Sequence, residues 1–359
     1  MKTRLFLDIH ALQTLPPSNI NRDDTGSPKT AQYGGVRRAR VSSQSWKKAI
    51  REYFNKNTAQ ENVGIRSLNV VEYVAEKINK IDSSINMEEA IKMADDIFNL
   101  GGIKTKEYKV RALFFLGETQ ATKLAKAAIE GVKDKKTVQE IFKSNPAIDI
   151  ALFGRMVADD PYLNEDASCQ VAHSISTHGI QTEFDFYTAV DDLSPQDNAG
   201  AGMLGTIEFN SSTMYRYANV AVHDFLNQVG DKEATINALK AFVEAFSNSL
   251  PTGMLNSFAN QTLPQFIMVS LRKDRPVSLV SAFEEPVKSK EGYVDDSIKK
   301  LTREYKEVEK FVDEPIFTIV LNTRDIELSD EFVKAENMKN ILLQLGEKLE
   351  EVIDESQGE

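Results

Sequence analysis

The chain has 359 residues, of which 41% are hydrophobic and 27% charged, and a formal net charge of -11, which is the profile of a folded globular protein with room for one large domain and an insertion or for two smaller domains. No apolar run of about 20 residues is present, which excludes a conventional membrane-spanning helix, and the lone Cys169 excludes an internal disulfide or a multi-thiolate zinc site. Asp8 and His10 interrupt the apolar start and no small-residue cleavage site follows, so a cytoplasmic chain is expected.

Leu5, Leu7, Ile9 and Ala11 alternate with Arg4, Phe6, Asp8 and His10, and this period of two predicts a strand over residues 4–12 forming a half-buried edge. Residues 15–35 are rich in Pro, Gly, Asn, Asp and Ser and predict a long loop. A helix is expected next, capped by Ser42 or Ser43, with Trp46, Ala49, Ile50 and Tyr53 or Phe54 as its apolar stripe. Residues 60 to about 180 carry helical patterns in VVEYVAEKINKI, MEEAIKMADDIFNL, VRALFFLGETQATKLAKAAIEG and KTVQEIFKS, which predict a helical insertion.

From Glu183 the period returns to two, with Phe184, Phe186, Thr188 and Val190 on one side and Asp185, Tyr187, Ala189 and Asp191 on the other. The return arm LGTIEFNSSTMYRYANVAV predicts a projecting hairpin with a Gly-rich tip, DLSPQDNAGAGM. A helix from Glu233 to Asn248, strands at FIMVSL and PIFTIVLNT, and a terminal helix from Asp330 to Val352 complete an α+β order. That order fits a ferredoxin-like βαββαβ core with two insertions.

Charge is distributed unevenly. Lys29 to Arg51 holds seven cations and no acid, whereas Asp325 to Glu359 holds eleven acids and three lysines. A one-sign block of this density favours an anionic partner over a plain solvated face. Guanidinium forks at Arg37, Arg38 and Arg40, backbone amides at Gly34 and Gly35, and a Ser-capped helix start together suit a nucleic-acid backbone. A basic surface without a ligand remains the competing reading.

Catalytic constellations are sparse. Cys169 and His173 stand at a helical spacing, but two ligands are too few for a metal site, so no metal or cofactor is expected. Asp23-Asp24 and Asp191-Asp192 are the only carboxylate pairs that invite a nuclease reading, and neighbours on extended chain point to opposite sides. Tyr187, Met203 and Leu204 are apolar groups on the hairpin, suited to meeting a base or a neighbouring subunit.

The blocks NRDD (21–24), GGVRRARVSSQSWKKAIR (34–51), DIALFGRM (149–156), AHSISTH (172–178), FYTAVDDL (186–193) and GTIEFNSSTMYRYANV (205–220) occur in an order that resembles the CasC-type backbone proteins of type I-E CRISPR Cascade complexes, the Cas-seven family. The resemblance implies an RRM-like palm (1–57 and 223–359), a helical fingers insertion (58–182) and a thumb hairpin (183–222). It implies a non-catalytic protein whose copies stack along the CRISPR RNA (crRNA) spacer, kink it at regular intervals and present it to target DNA. The other partners implied are the large, small and guide-end capping Cascade subunits and a recruited nuclease-helicase.

Carried over residue by residue, the resemblance implies RNA-backbone contacts at Arg22, Lys29, Ser42, Gln44, Lys47, Lys48 and Arg51. Met156 and Tyr187 would flank the kinked nucleotide, with Leu204 near the thumb tip. Relatives carry an imidazole before that leucine, where this chain has Met203. Lys135, Lys136 and Lys143 correspond to a finger helix that meets target duplex. The alternatives are a type III-like backbone subunit that cleaves target RNA with a loop aspartate, for which Asp23 or Asp24 would serve, and a protein polymer that binds no nucleic acid.

Overall fold

The computed structural model describes residues 4–57, 63–189 and 203–358. Strand β1 (Phe6–Ser18) leads into β2 (Thr30–Tyr33), β3 (Val36–Val41) and helix α1 (Ser43–Asn57). The next stretch holds β4 (Gly64–Ser67), α2 (Val70–Ile81), α3 (Met87–Leu100), β5 (Thr105–Lys106), β6 (Lys109–Val110), β7 (Phe114–Gly117), α4 (Glu118–Ile129), α5 (Lys135–Lys143) and α6 (Ile148–Phe153). Then come β8 (Cys169–Val171), β9 (Ser174–Ser176), β10 (Glu183–Ala189), β11 (Met203–Ala221), α7 (Val222–Val229), α8 (Lys232–Asn248) and α9 (Leu255–Phe258). The chain ends through β12 (Phe266–Arg272), α10 (Val294–Val308), β13 (Phe317–Asn322), β14 (Val333–Lys334) and α11 (Met338–Gly358).

The large sheet has the order β14-β13-β12-β1-β11-β9-β3-β2, with β8 and β10 also pairing with β11. β1 lies between β11 and β12, antiparallel to both, so that Leu7 stands opposite Val220 on one side and Leu271 on the other. One face of the sheet, carrying Leu7, Ile9, Ala218, Val220 and Val269, packs on Ile50 and Phe54 of α1, Phe242 of α8 and Leu345 of α11. The opposite face, with Leu12, Tyr215, Tyr217 and Met268, is covered by Leu279, Phe283 and Val287 and by Ile298 and Leu301 of α10.

The strand expected over residues 4–12 begins at Phe6 and is a central strand, not the half-buried edge that its alternation predicts. Asp8 and His10 lie in the polar register but are buried. Their polar atoms find partners inside: the Tyr217 hydroxyl donates to Asp8 at 2.8 Å, the Val277 N–H donates to Asp8 at 3.0 Å, and His10 Nδ1 pairs with the Tyr215 hydroxyl at 2.9 Å. Burial drives His10 down to about 3, with the Arg272 charge adding to it, and drives Asp8 up to about 7. A polar residue with such partners is as compatible with a core as with solvent.

The loop expected over residues 15–35 is partly strand. β1 runs on to Ser18, and β2 and β3 form a hairpin whose two-residue turn is Gly34-Gly35, with φ of +58° and +75°. Both values lie in the left-handed region that glycine enters without steric cost. A Cβ on Gly34 would stand 1.6 Å from the Glu284 carbonyl oxygen, so the close approach that this glycine permits is to the chain itself.

The inserted stretch has its own core, in which Val74 of α2, Phe98 of α3, Leu124 of α4 and Phe142 of α5 are fully buried. The single helix expected over VRALFFLGETQATKLAKAAIEG is a strand, β7, followed by α4. β8 and β9, which fall inside the expected fingers range, pair in the large sheet. The terminal helix starts at Met338, and Val333–Lys334 pairs with β13 instead of opening that helix. In the β10–β11 hairpin Tyr187 stands opposite Gly205, and the predicted Gly-rich tip, with Asp191-Asp192, falls on residues 190–202, outside the described residues.

Candidate nucleic-acid interface

Helix α1 begins at a side-chain cap: the Ser42 hydroxyl accepts the Ser45 N–H at 3.3 Å, while the Ser42 N–H donates to the Asn21 side chain at 2.8 Å. That second bond draws the segment around Arg22 to the start of the helix. Trp46, Ala49, Ile50 and Phe54 face the core, which turns Gln44, Lys47, Lys48 and Arg51 away from it.

Those four residues line an open groove of about 730 Å³ between α1 and the inserted stretch, and Met156 lines it too. Met156 is 85% exposed and so presents an apolar group at the edge of the groove. The Lys47 ammonium lies 5.5 Å from the Phe153 ring, and Lys48 pairs loosely with Glu52 at 3.5 Å on the surface. A second groove, of about 520 Å³, shares Lys48 and adds Arg22, Asp23 and Ser45. Lys29 and Arg40 line a smaller adjoining recess. Of the predicted cations from Lys29 to Arg51, Lys47, Lys48 and Arg51 on α1 and Lys29 and Arg40 beside it line these adjoining grooves, Arg40 while donating to the Thr30 carbonyl at 3.1 Å. Arg37 lines none of them, one further member is removed from the surface, and one on α1 is largely engaged.

The removed member is Arg38. It is fully buried and donates to the carbonyl oxygens of Tyr33 at 3.0 Å, Ser176 at 3.0 Å and Phe283 at 2.6 Å. Burial lowers its pKa from the ordinary guanidinium value. This guanidinium has no face left for a phosphate, so Arg38 is a structural tie between β3 and the segment that covers the sheet. Sequence density alone could not separate it from Arg37, which is exposed.

The engaged member is Arg51, whose Nε donates to Asp149 at 2.9 Å and whose Nη2 donates to the Gly64 carbonyl at 3.3 Å. Its guanidinium also lies 4.3 Å from the Phe115 ring centroid. Asp149 is fully buried; burial raises its carboxyl pKa, and the Arg51 charge and the Gly64 N–H pull it back.

Other predicted residues lie apart from this track. Tyr187 is on the hairpin, where it covers Gly205: a Cβ there would come within 2.3 Å of the ring. Leu204 pairs in register with Thr188. On α5, Lys135 stands 3.8 Å from Asp160, Lys143 lies 4.8 Å from the Tyr162 ring, and Lys136 is exposed.

The chemistry for a metal is missing among the described residues, which hold no cluster of three or more His, Cys, Asp or Glu placed for one. Cys169 is a buried strand residue, and the Cys169–His173 spacing falls on β8 and the short link to β9, not on helix. His173 instead meets Arg40 at 3.1 Å, and desolvation with the Arg40 and Lys29 charges holds its pKa below the usual value. The Asp23 carboxylate accepts the N–H groups of Thr25 and Ser27 and the Thr25 hydroxyl, which keeps it below the ordinary carboxylate range. No helix among the described residues is long and apolar enough to cross a membrane.

Fold and groove together define an α+β protein with a ten-stranded sheet and a cation-lined groove where its first helix meets a helical insertion. The CT1975-like protein family matches residues 7–347, and the chain belongs to that family. Among solved structures it is similar to a chain of a CRISPR RNA-guided surveillance complex, pre-nicking, with 29% identity and a TM-score of 0.85 over 96% of this chain and 100% of that one. It is also similar to a chain of a CRISPR RNA-guided surveillance complex with 26% identity and a TM-score of 0.74, over 95% of this chain and 99% of that one. No curated protein matches it.

Proposed function

We propose that this chain is the guide-RNA-binding backbone subunit of a CRISPR effector of the type I-E kind. In this role it is a non-catalytic protein whose copies line up along the crRNA spacer. The observation that carries the reading is the convergence on one groove of Gln44, Lys47, Lys48 and Arg51, from a basic block of an otherwise acidic chain, with Met156, although Glu165 and Asp166 also line it. Cations that neutralise phosphates, beside exposed apolar groups that meet bases, are the two ingredients of sequence-tolerant single-strand binding. The similarity to chains of RNA-guided surveillance complexes over nearly the whole length supports the same reading.

An RRM-like palm is consistent with the strand order β12-β1-β11-β8 and β9, with α1 following the first strand and α8 preceding the last. The thumb is the β10–β11 hairpin, rooted in the sheet because β11 continues as the partner of β1. Target DNA, further copies of the chain, the large, small and capping subunits and a recruited nuclease-helicase are the partners this role requires.

Asp23 lines the second groove, which keeps the RNA-cleaving alternative in view. Its carboxylate is engaged by its own loop and held in the ionised state, a poor setting for a general base. The assembled complex, isolated from its native host, is expected to contain short RNAs and to leave complementary RNA intact in the presence of divalent metal. Regular cuts that vanish in Asp23→Ala or Asp24→Ala would replace this reading with the cleaving one, and a complex without RNA would remove both.

A further inference from the structure

The inserted stretch brings one cation to the groove that no neighbour in sequence announces. Arg66 is on β4, is exposed, and lines the same groove as Lys47 and Lys48. Its side chain makes no hydrogen bond or ion pair with any described residue, and this separates it from the other two arginines at the groove. Arg51 is bound to Asp149 and Gly64, and Arg155 is buried and donates to the carbonyls of Phe115, Phe142 and Leu163.

The backbone explains where Arg66 points. β4 pairs antiparallel with β7, and Arg66 stands directly opposite Phe115. Opposed residues in an antiparallel pair project from the same side of the ladder. Phe115 is the ring that lies against the Arg51 guanidinium, so Arg66 leaves the ladder on the side that faces α1. Two residues earlier on the same strand, Gly64 is held from both directions: its N–H donates to Asp149 at 2.8 Å and its carbonyl accepts from Arg51. Arg51 and Asp149 thus fix the position of β4 relative to α1, and Arg66 supplies at that position a guanidinium with no hydrogen-bond or ion-pair partner among the described residues.

We propose that Arg66 is a phosphate ligand contributed by the helical insertion, gripping the RNA strand from the side opposite Lys47 and Lys48. The inference rests on the reading of the groove as the RNA site. It divides the work at the groove between Arg51, which positions the two walls, and Arg66, which contacts the ligand. A guanidinium suits that task because it binds phosphate through two parallel N–H donors.

The test measures binding of the full-length chain to a single-stranded RNA oligonucleotide of mixed sequence, across a salt series, for wild type, Arg66→Ala, Arg66→Lys and the Lys47→Ala/Lys48→Ala double variant. Arg66→Ala is expected to bind about tenfold more weakly. Its log-log salt slope is expected to be shallower by about 0.7, the value for one phosphate contact on a single strand. Arg66→Lys is expected to recover the slope and part of the affinity. Because the Arg66 side chain has no hydrogen-bond or ion-pair partner among the described residues, the melting temperature of Arg66→Ala should match wild type, which separates this role from a structural one. Wild-type affinity and slope in Arg66→Ala, with both reduced in the double lysine variant, would overturn this proposal alone. Wild-type behaviour in both variants would overturn it together with the groove as the RNA site.

Discussion

The Arg51 guanidinium donates to the buried Asp149 carboxylate at 2.9 Å and so ties α1 of the sheet-bearing part to α6 of the insertion. Asp149 is inaccessible while Arg51 is partly exposed, so the two ends of the pair respond differently to mutation. Removing the arginine strands a buried charge, and removing the carboxylate frees a cation that can reach water.

Arg51→Ala is accordingly expected to cost about 3 kcal/mol of unfolding free energy, and Asp149→Ala less, with the double variant losing less than the sum of the two. Denaturant unfolding of the four proteins checks this. A loss below about 0.5 kcal/mol in Arg51→Ala, in the range of a surface change, would mean that the pair does not hold the two parts together.

Arg38→Ala is expected to destabilise by about 3 kcal/mol, because several buried carbonyl groups lose a charged donor at once. Its folded fraction should bind RNA with the salt slope of wild type, since no phosphate contact is removed. A slope reduced by about 0.7 with stability intact would restore Arg38 to the RNA site.

Much of this was legible in the sequence, and the parts that were not have identifiable causes. The strand expected over residues 4–12, found from Phe6, and the apolar stripe of α1 follow from periodicity, because burial of one face forces it. That β1 is central was hidden because Asp8 and His10 read as a solvated register until their partners Tyr217, Val277 and Tyr215 are known, and those lie far along the chain. The Gly34-Gly35 hairpin turn was masked by the arginines around it, which suggested ligand chemistry more strongly than strand pairing. The short β7 lies in a continuous apolar run, FFLG, for which helix and strand patterns are indistinguishable. Lys47 and Lys48 stood out by charge, and Gln44 and Met156 only through the family resemblance, whereas Arg66 is a solitary cation that reaches the groove only once β4 is folded beside α1.

Gly205 and Tyr187 give a test of the hairpin. Gly205→Ala places a methyl group where the Tyr187 ring lies, and the ring must move. The hairpin carries exposed aromatic residues and little buried area at this point, so stability should change by only a few tenths of a kcal/mol. RNA affinity should fall on the order of tenfold if Tyr187 flanks a base, in line with the loss of one stacking contact. Unchanged affinity would remove Tyr187 from the interface.

The claim on which the account depends is that the groove beside α1 grips an RNA backbone. Because Arg51 is engaged with Asp149, the test falls on Lys47 and Lys48. The most direct measurement is the salt dependence of single-stranded RNA binding by the Lys47→Ala/Lys48→Ala variant, with several unrelated RNA sequences. The expected result is weaker binding to every sequence by a similar factor and a slope shallower by about 1.4, the value for two phosphate contacts. A wild-type slope would contradict the account.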